Sequence, residues 1–173
     1  GYYDLLADPS TRRRQAALAH QYGLEGFCFY FYWFGGKRLL ETPIRAYADD
    51  EEISLPFCLC WANESWSRRW DGREDQKLIT QYHSPEDDIA FITHIADYLK
   101  SEKYLRVNGK PLVIVYRPDL LPDARATAER WRNWCREAGI GEIFLAYTLS
   151  FASGTPDEYG FDAAIEFPPN NMG

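Results

Sequence analysis

The sequence predicts an α/β fold built on about five parallel strands. Short apolar runs alternate with amphipathic, capped helical stretches, and no repeat or low-complexity linker breaks that order. The runs stay apolar along their length, as strands buried on both faces do. Strand, helix, strand in succession implies parallel strands joined by right-handed crossovers. Five such strands suit an open doubly wound sheet or part of an eight-stranded (β/α) barrel, which takes about 250 residues when complete. As a barrel, the 173-residue chain is expected to be one incomplete domain, cut short at both ends.

Each element has its own local signal. Asp8-Pro9 offers an N-cap with a first-turn proline and Gly23 a stop, predicting a helix over 10–22. Residues 26–32 (GFCFYFY) read as the first buried strand, 43–50 as a short helix and 56–61 (PFCLCW) as the second strand. The stretch 62–83, rich in Trp, Arg and Asp, reads as a long loop. Ser84-Pro85-Glu86-Asp87 opens a helix with Ile89, Ile92, Ala96 and Leu99 on one face. Asn108-Gly109 is a hairpin turn joining 104–107 to the third main strand, 111–116. Asp123 caps a helix with Thr127, Trp131, Trp134, Cys135 and Ala138 on its inner stripe, and Gly139 ends it. Strand four covers 142–147 and a short strand five 163–167, with little room for a crossover helix between them.

Composition narrows the function. Aromatics make up 16% of the chain, a surplus that suits a cleft for sugar rings as well as core filling. A net charge of −7 without a basic stripe argues against nucleic acid or an anionic membrane as the main partner. No apolar run reaches the ~18 to 20 residues that span a bilayer, so no membrane insertion is expected. The start, at Gly1, carries no signal-peptide pattern. Cys28, Cys58, Cys60 and Cys135 sit in apolar segments without zinc spacing, so reduced, buried thiols in a cytoplasmic protein and no metal are expected. No Gly-rich phosphate loop follows a strand, and no cofactor is expected.

Parallel α/β folds build their sites at the carboxyl ends of strands. Those ends read Tyr32-Trp33, Trp61-Ala62-Asn63-Glu64, Tyr116-Arg117, Tyr147-Thr148 and Glu166. Glu64 and Glu166 are the candidate catalytic pair, since glycoside cleavage uses an acid and a nucleophile or base on two facing carboxyls. The plainer reading pairs each with an arginine such as Arg68, Arg69 or Arg117. Residues 61–72 (WANESWSRRWDG) bring Trp61, Trp66 and Trp70 for stacking on sugar faces, with Arg68 and Arg69 for gripping hydroxyls or an anionic group. Asn63, Tyr32, Trp33, Tyr116 and Arg117 complete the candidate substrate-binding set. His20, His83 and His94 show no i, i+4 pairing, and Ser150 and Ser153 lie in no nucleophile-elbow motif, so a Ser or Cys hydrolase is unsupported.

Four stretches carry a resemblance: residues 1–41, LPFCLCWANESWSRRWDG, YLRVNGKPLVIVYRP and GFDAAIEFPP. In this order they resemble the WbsX-type polysaccharide-biosynthesis proteins of bacteria, whose domain is similar to glycoside hydrolase family 99. The resemblance implies a partial (β/α)8 TIM barrel and a cytoplasmic role in building O-antigen or related surface glycans. It further implies a carbohydrate substrate, with glycosyl transfer or glycoside hydrolysis as the reaction. In the hydrolase relatives two glutamates act from a motif like Asn-Glu-Trp-x-Glu-Gly near a late strand. No such motif occurs before Gly173, and Asn63-Glu64-Ser65-Trp66 belongs to an earlier segment. Glu64 and Glu166 are therefore expected to line the site, and this stretch alone to be inactive. The rival expectation is a carbohydrate-binding or scaffolding barrel attached to a separate glycosyltransferase domain.

Overall fold

The computed structural model describes residues 26–34, 37–39, 42–64, 66–69, 76–79, 83–149 and 154–165. The predicted helix at 10–22 lies outside them. The main sheet contains β1 (Phe27–Phe34), β2 (Lys37–Leu39), β3 (Phe57–Trp61), β6 (Arg106–Val107), β7 (Lys110–Val115), β8 (Phe144–Thr148) and β9 (Ala163–Ile165). Its order is β2-β1-β3-β7-β8-β9, with β6 paired to β7. Neighbours β1, β3, β7, β8 and β9 are all parallel, so the five expected strands lie side by side in chain order. Among the described residues these five parallel strands follow one another without a reversal of order.

Helices fill the crossovers: α1 (Thr42–Asp49), α2 (Pro85–Lys100), α3 (Ala124–Glu137) and the single turn α4 (Pro156–Tyr159). The caps fall where the sequence puts them. Ser84 Oγ accepts from Asp87 N–H at 3.0 Å and Asp123 Oδ1 from Ala126 N–H at 3.1 Å. Asn108 and Gly109 adopt the positive φ values, 54° and 80°, of a two-residue hairpin turn. Among the described residues no helix is long and apolar enough to cross a membrane.

Two elements differ from expectation. The stretch 62–83 is not an unbroken loop, because β4 (Trp66–Arg69) and β5 (Gln76–Ile79) pair antiparallel within it. Strand β1 extends to Phe34 and pairs antiparallel with β2, a strand the sequence does not predict. On α2 the expected Ile92, Ala96 and Leu99 are buried, together with Asp88, Phe91, Ile95 and Tyr98, while Ile89 is half-buried. On α3 the stripe is as expected at Thr127, Trp131 and Cys135, whereas Ala138 is exposed.

The core between sheet and helices is aromatic. Trp61 of β3 stacks on Phe91 of α2 with centroids 4.6 Å apart, and Phe91 lies 5.3 Å from Trp131 of α3. Burying each such side chain contributes roughly 1.5–3 kcal/mol, with about 0.5–1.5 more for well-placed ring pairs. One carboxylate ties the two helices together beside this stack. Asp88, 2% exposed, accepts from Thr127 Oγ1 and Arg130 Nη1, both at 2.8 Å, and its carbonyl accepts from Trp131 Nε1 at 2.9 Å.

Removing Asp88 leaves the Thr127 hydroxyl and one Arg130 guanidinium donor without their acceptor. Asp88→Ala is expected to lower the free energy of unfolding by about 2–4 kcal/mol. Urea denaturation followed by tryptophan fluorescence checks this; an unchanged midpoint would show that the carboxylate does not brace the helices.

Candidate functional site

In a strand successive side chains alternate between faces, and the registers show which face each one takes. Phe27, Phe29, Phe31 and Trp33 meet Tyr47 of α1 or Phe91, His94 and Tyr98 of α2, so they face the helices. Cys28, Tyr30 and Tyr32 take the opposite face. There Tyr30 is level with Cys60, Ile114, Ala146 and Ala163 across the sheet. Tyr116 follows Ile114 on that face, and its ring meets Tyr30 edge-on at 5.8 Å.

This parity removes two residues from the candidate set. Trp33 and Trp61 stand at strand ends as expected but project into the helical layer, 5% and 1% exposed. Trp33 Nε1 donates to Asp87 Oδ1 at 3.0 Å and Trp61 Nε1 to the Trp33 carbonyl at 3.3 Å. With their faces stacked inside the core, neither offers a surface to a sugar.

The carboxyl edge itself is held by side chains that continue the ladder. Tyr116 N–H donates to the Trp61 carbonyl at 2.9 Å, the last rung between backbones here. Beyond it, Asn63 Nδ2 donates to the Arg117 carbonyl and Asn63 Oδ1 accepts from Arg117 N–H, both at 2.7 Å. On the other flank Thr148 Oγ1 donates to the Tyr116 carbonyl at 2.9 Å. Asn63 and Thr148 are both fully buried. Asn63, expected to bind a sugar hydroxyl, is therefore committed to the neighbouring strand.

Held in this way, the Arg117 side chain forks between two carboxylates. Nη1 reaches Glu64 Oε2 at 3.0 Å, while Nε and Nη2 reach the two oxygens of Asp119 at 3.1 and 2.9 Å. The bond to Arg117 holds the Asp119 carboxyl below its ordinary range, and Asp119 in turn raises the arginine. The plainer reading of Glu64, an arginine partner, is thus present, and 43% of its side chain remains exposed. Asp119 was missed in the sequence. Arg117-Pro118-Asp119 is its signal, since a proline-led turn bends the chain back onto the arginine.

Other expected site residues are only partly reached. Tyr32 and Tyr116 are half-buried, while Trp66, Arg68 and Arg69 fall on β4. Trp70 and Glu166 lie outside the described residues, as do Ser150 and Ser153. All four cysteines are buried thiols outside any disulfide. Among the described residues no three His, Cys, Asp or Glu side chains come together as metal ligands.

Residues 1–173 match the family described as Glycosyltransferase WbsX. The chain belongs to this WbsX glycosyltransferase family. It is also 61% identical over 170 residues to two proteins of Xanthomonas campestris pv. campestris, from strain B100 and a second strain, each called uncharacterized protein WxcX. The alignment covers 98% of this WbsX-family chain and 24% of each relative, so the chain spans about a quarter of their length. No solved structure matches it.

His83 packs against Trp61 with ring centroids 5.5 Å apart, and burial lowers its pKa against the opposing pull of Asp88 and Asp87. Below the ordinary histidine value of ~6.5 the unfolded chain takes up a proton that the folded chain resists, so folding weakens as pH falls. Half-buried Asp87 works the other way, since desolvation raises its pKa and lets the fold bind a proton earlier and gain stability on acidification. His83→Gln removes the first effect and also the pull by which His83 lowers the pKa of Asp87, so both changes favour the variant on acidification. Its unfolding free energy is expected to fall less between about pH 7.5 and 5.5 than the parent's, as measured by urea titrations; equal falls would refute the assignment.

Proposed function

We propose that the full-length protein acts on glycans in bacterial surface polysaccharide biosynthesis, such as that of O-antigen, through glycosyl transfer or glycoside hydrolysis. The described sheet is read as part of a (β/α)8 barrel in the cytoplasm. Five parallel strands in unreversed chain order support the barrel, because each crossover advances the sheet in one direction. Membership of a family described as glycosyltransferases supports the substrate class.

The observation that carries the reading is the Glu64–Arg117–Asp119 fork at the carboxyl ends of β3 and β7. It combines an accessible carboxylate, a fixed cation and a strand-end address, which is where such folds perform chemistry. Glu166 directly follows β9, whose carboxyl end lies on the same edge, and is proposed as a second carboxylate lining the site. Tyr32, Tyr116, Trp66, Arg68, Arg69 and Trp70 are proposed as the surface that receives sugar rings.

A second reading has its own support. Three quarters of each relative lies beyond the matched stretch, room for a separate glycosyltransferase domain to which this barrel lends carbohydrate binding alone.

Glu64→Gln in the full-length protein separates the two. The enzyme reading expects loss of glycosyl product by 10-fold or more, on the order of the loss when a positioned carboxyl is removed. The melting temperature should barely move, since a half-exposed ion pair contributes about 0–1 kcal/mol. Absence of any product from the purified parent protein, with glycan still bound, would leave the binding reading standing.

A further inference from the structure

We propose that Asn63 is a positioning residue: its carboxamide, bonded twice to the backbone of Arg117, aims the arginine at Glu64 and so fixes the carboxylate at the mouth of the site. The inference rests on the reading of Glu64 as part of a glycan site. Asn63 is fully buried, so it acts on a sugar only through Arg117. Its two bonds, both 2.7 Å, run to the N–H and the carbonyl of one residue, the pairing a backbone unit would make in a ladder.

That pairing demands a specific side chain. A carboxamide presents one acceptor and a donor group together; an ionised carboxylate only accepts, and an aliphatic side chain does neither. Asparagine is also the residue immediately before Glu64. The strand end 63–64 and the strand end 117–119 therefore grip each other reciprocally, side chain 63 on backbone 117 and side chain 117 on side chain 64. Loss of the first grip lets Arg117 move off Glu64 toward Asp119, to which it already makes two bonds at 2.9 and 3.1 Å. Thr148 supplies a natural comparison, being equally buried and bonded to the same strand end, but to Tyr116 and not to Arg117.

The test uses the full-length protein with Asn63→Asp and, for comparison, Thr148→Val. Crystal structures report the geometry directly. The Arg117 Nη1 to Glu64 Oε2 contact, 3.0 Å in the parent, is expected to open in Asn63→Asp and to persist in Thr148→Val. Binding of Xanthomonas campestris lipopolysaccharide is then expected to weaken by about 10- to 100-fold in Asn63→Asp, the size of effect that misplacing a site group produces. Thr148→Val at a matched loss of melting temperature should bind nearly as the parent does. A pH profile adds a readout that plain destabilisation does not move. As pH falls, protonation of the introduced carboxyl restores one donor and one acceptor, so the binding deficit relative to the parent should shrink. An intact Arg117–Glu64 contact in Asn63→Asp would overturn the proposal, and so would a broken contact with parent-like binding. If the parent itself binds no glycan, the glycan reading fails, and the crystal structures still decide whether Asn63 positions Arg117.

Discussion

Trp61 is the hinge between the two halves of this molecule's physics. Its ring closes a stack with Phe91 and Trp131, and through them the sheet, α2 and α3 become one packed unit. Its backbone makes the last regular rung with β7, and two residues later the chain reaches Asn63 and Glu64. The placement of polar groups at the carboxyl edge is therefore inherited from an apolar contact. Interiors are close-packed, so a ring anchored on both helices resists displacement of the strand end. The Asp88 clamp beside the stack serves the same end, fixing α3 against α2 through bonds that reach Thr127, Arg130 and Trp131.

From that anchor outward the bonding changes character. Backbone rungs give way to buried side-chain rungs at Asn63 and Thr148, and these give way to the half-exposed fork on Arg117. Each step exchanges rigidity for access. Buried amide and hydroxyl bonds act in a low dielectric where losing one is costly, whereas the fork is partly screened by water. An edge built in this order has a firm base and, in Glu64, a carboxylate that solvent can still reach.

Much of this was legible in the residues, for stated reasons. Ser84-Pro85, Asp123 and Asn108-Gly109 are local signals whose chemistry is complete within a few residues, and each sits where it was expected. The two missed hairpins also had signals, since Gly35-Gly36 precedes β2 and Asp71-Gly72 lies between β4 and β5. The apolar run of β1 and the dense charge of 62–83 outweigh these turn signals in the residue pattern. The error over Trp33 and Trp61 is of another kind. In a strand apolar on both faces, alternation tells which residues share a side but not which side meets the helices. Contacts with helix residues distant in sequence, such as Phe91 and Trp131, break that tie.

The same geometry bears on which chemistry the edge can support. A thiol nucleophile needs a lowered pKa and access to solvent. Cys58 is driven the other way, by its hydrogen bond with Cys28 and by burial, and burial pushes Cys135 up to about 12. These thiols act as small apolar fillers, and Cys28, Cys58 and Cys60 fill the sheet face away from the helices. Among the described strand ends that leaves the carboxylates. Asp119 spends both oxygens on Arg117, while Glu64 spends only Oε2. A carboxylate tethered by one oxygen keeps its orientation and has the other to offer, which is the condition a base, an acid or a hydroxyl acceptor must meet. Of the two acids that share the arginine, Glu64 alone satisfies it.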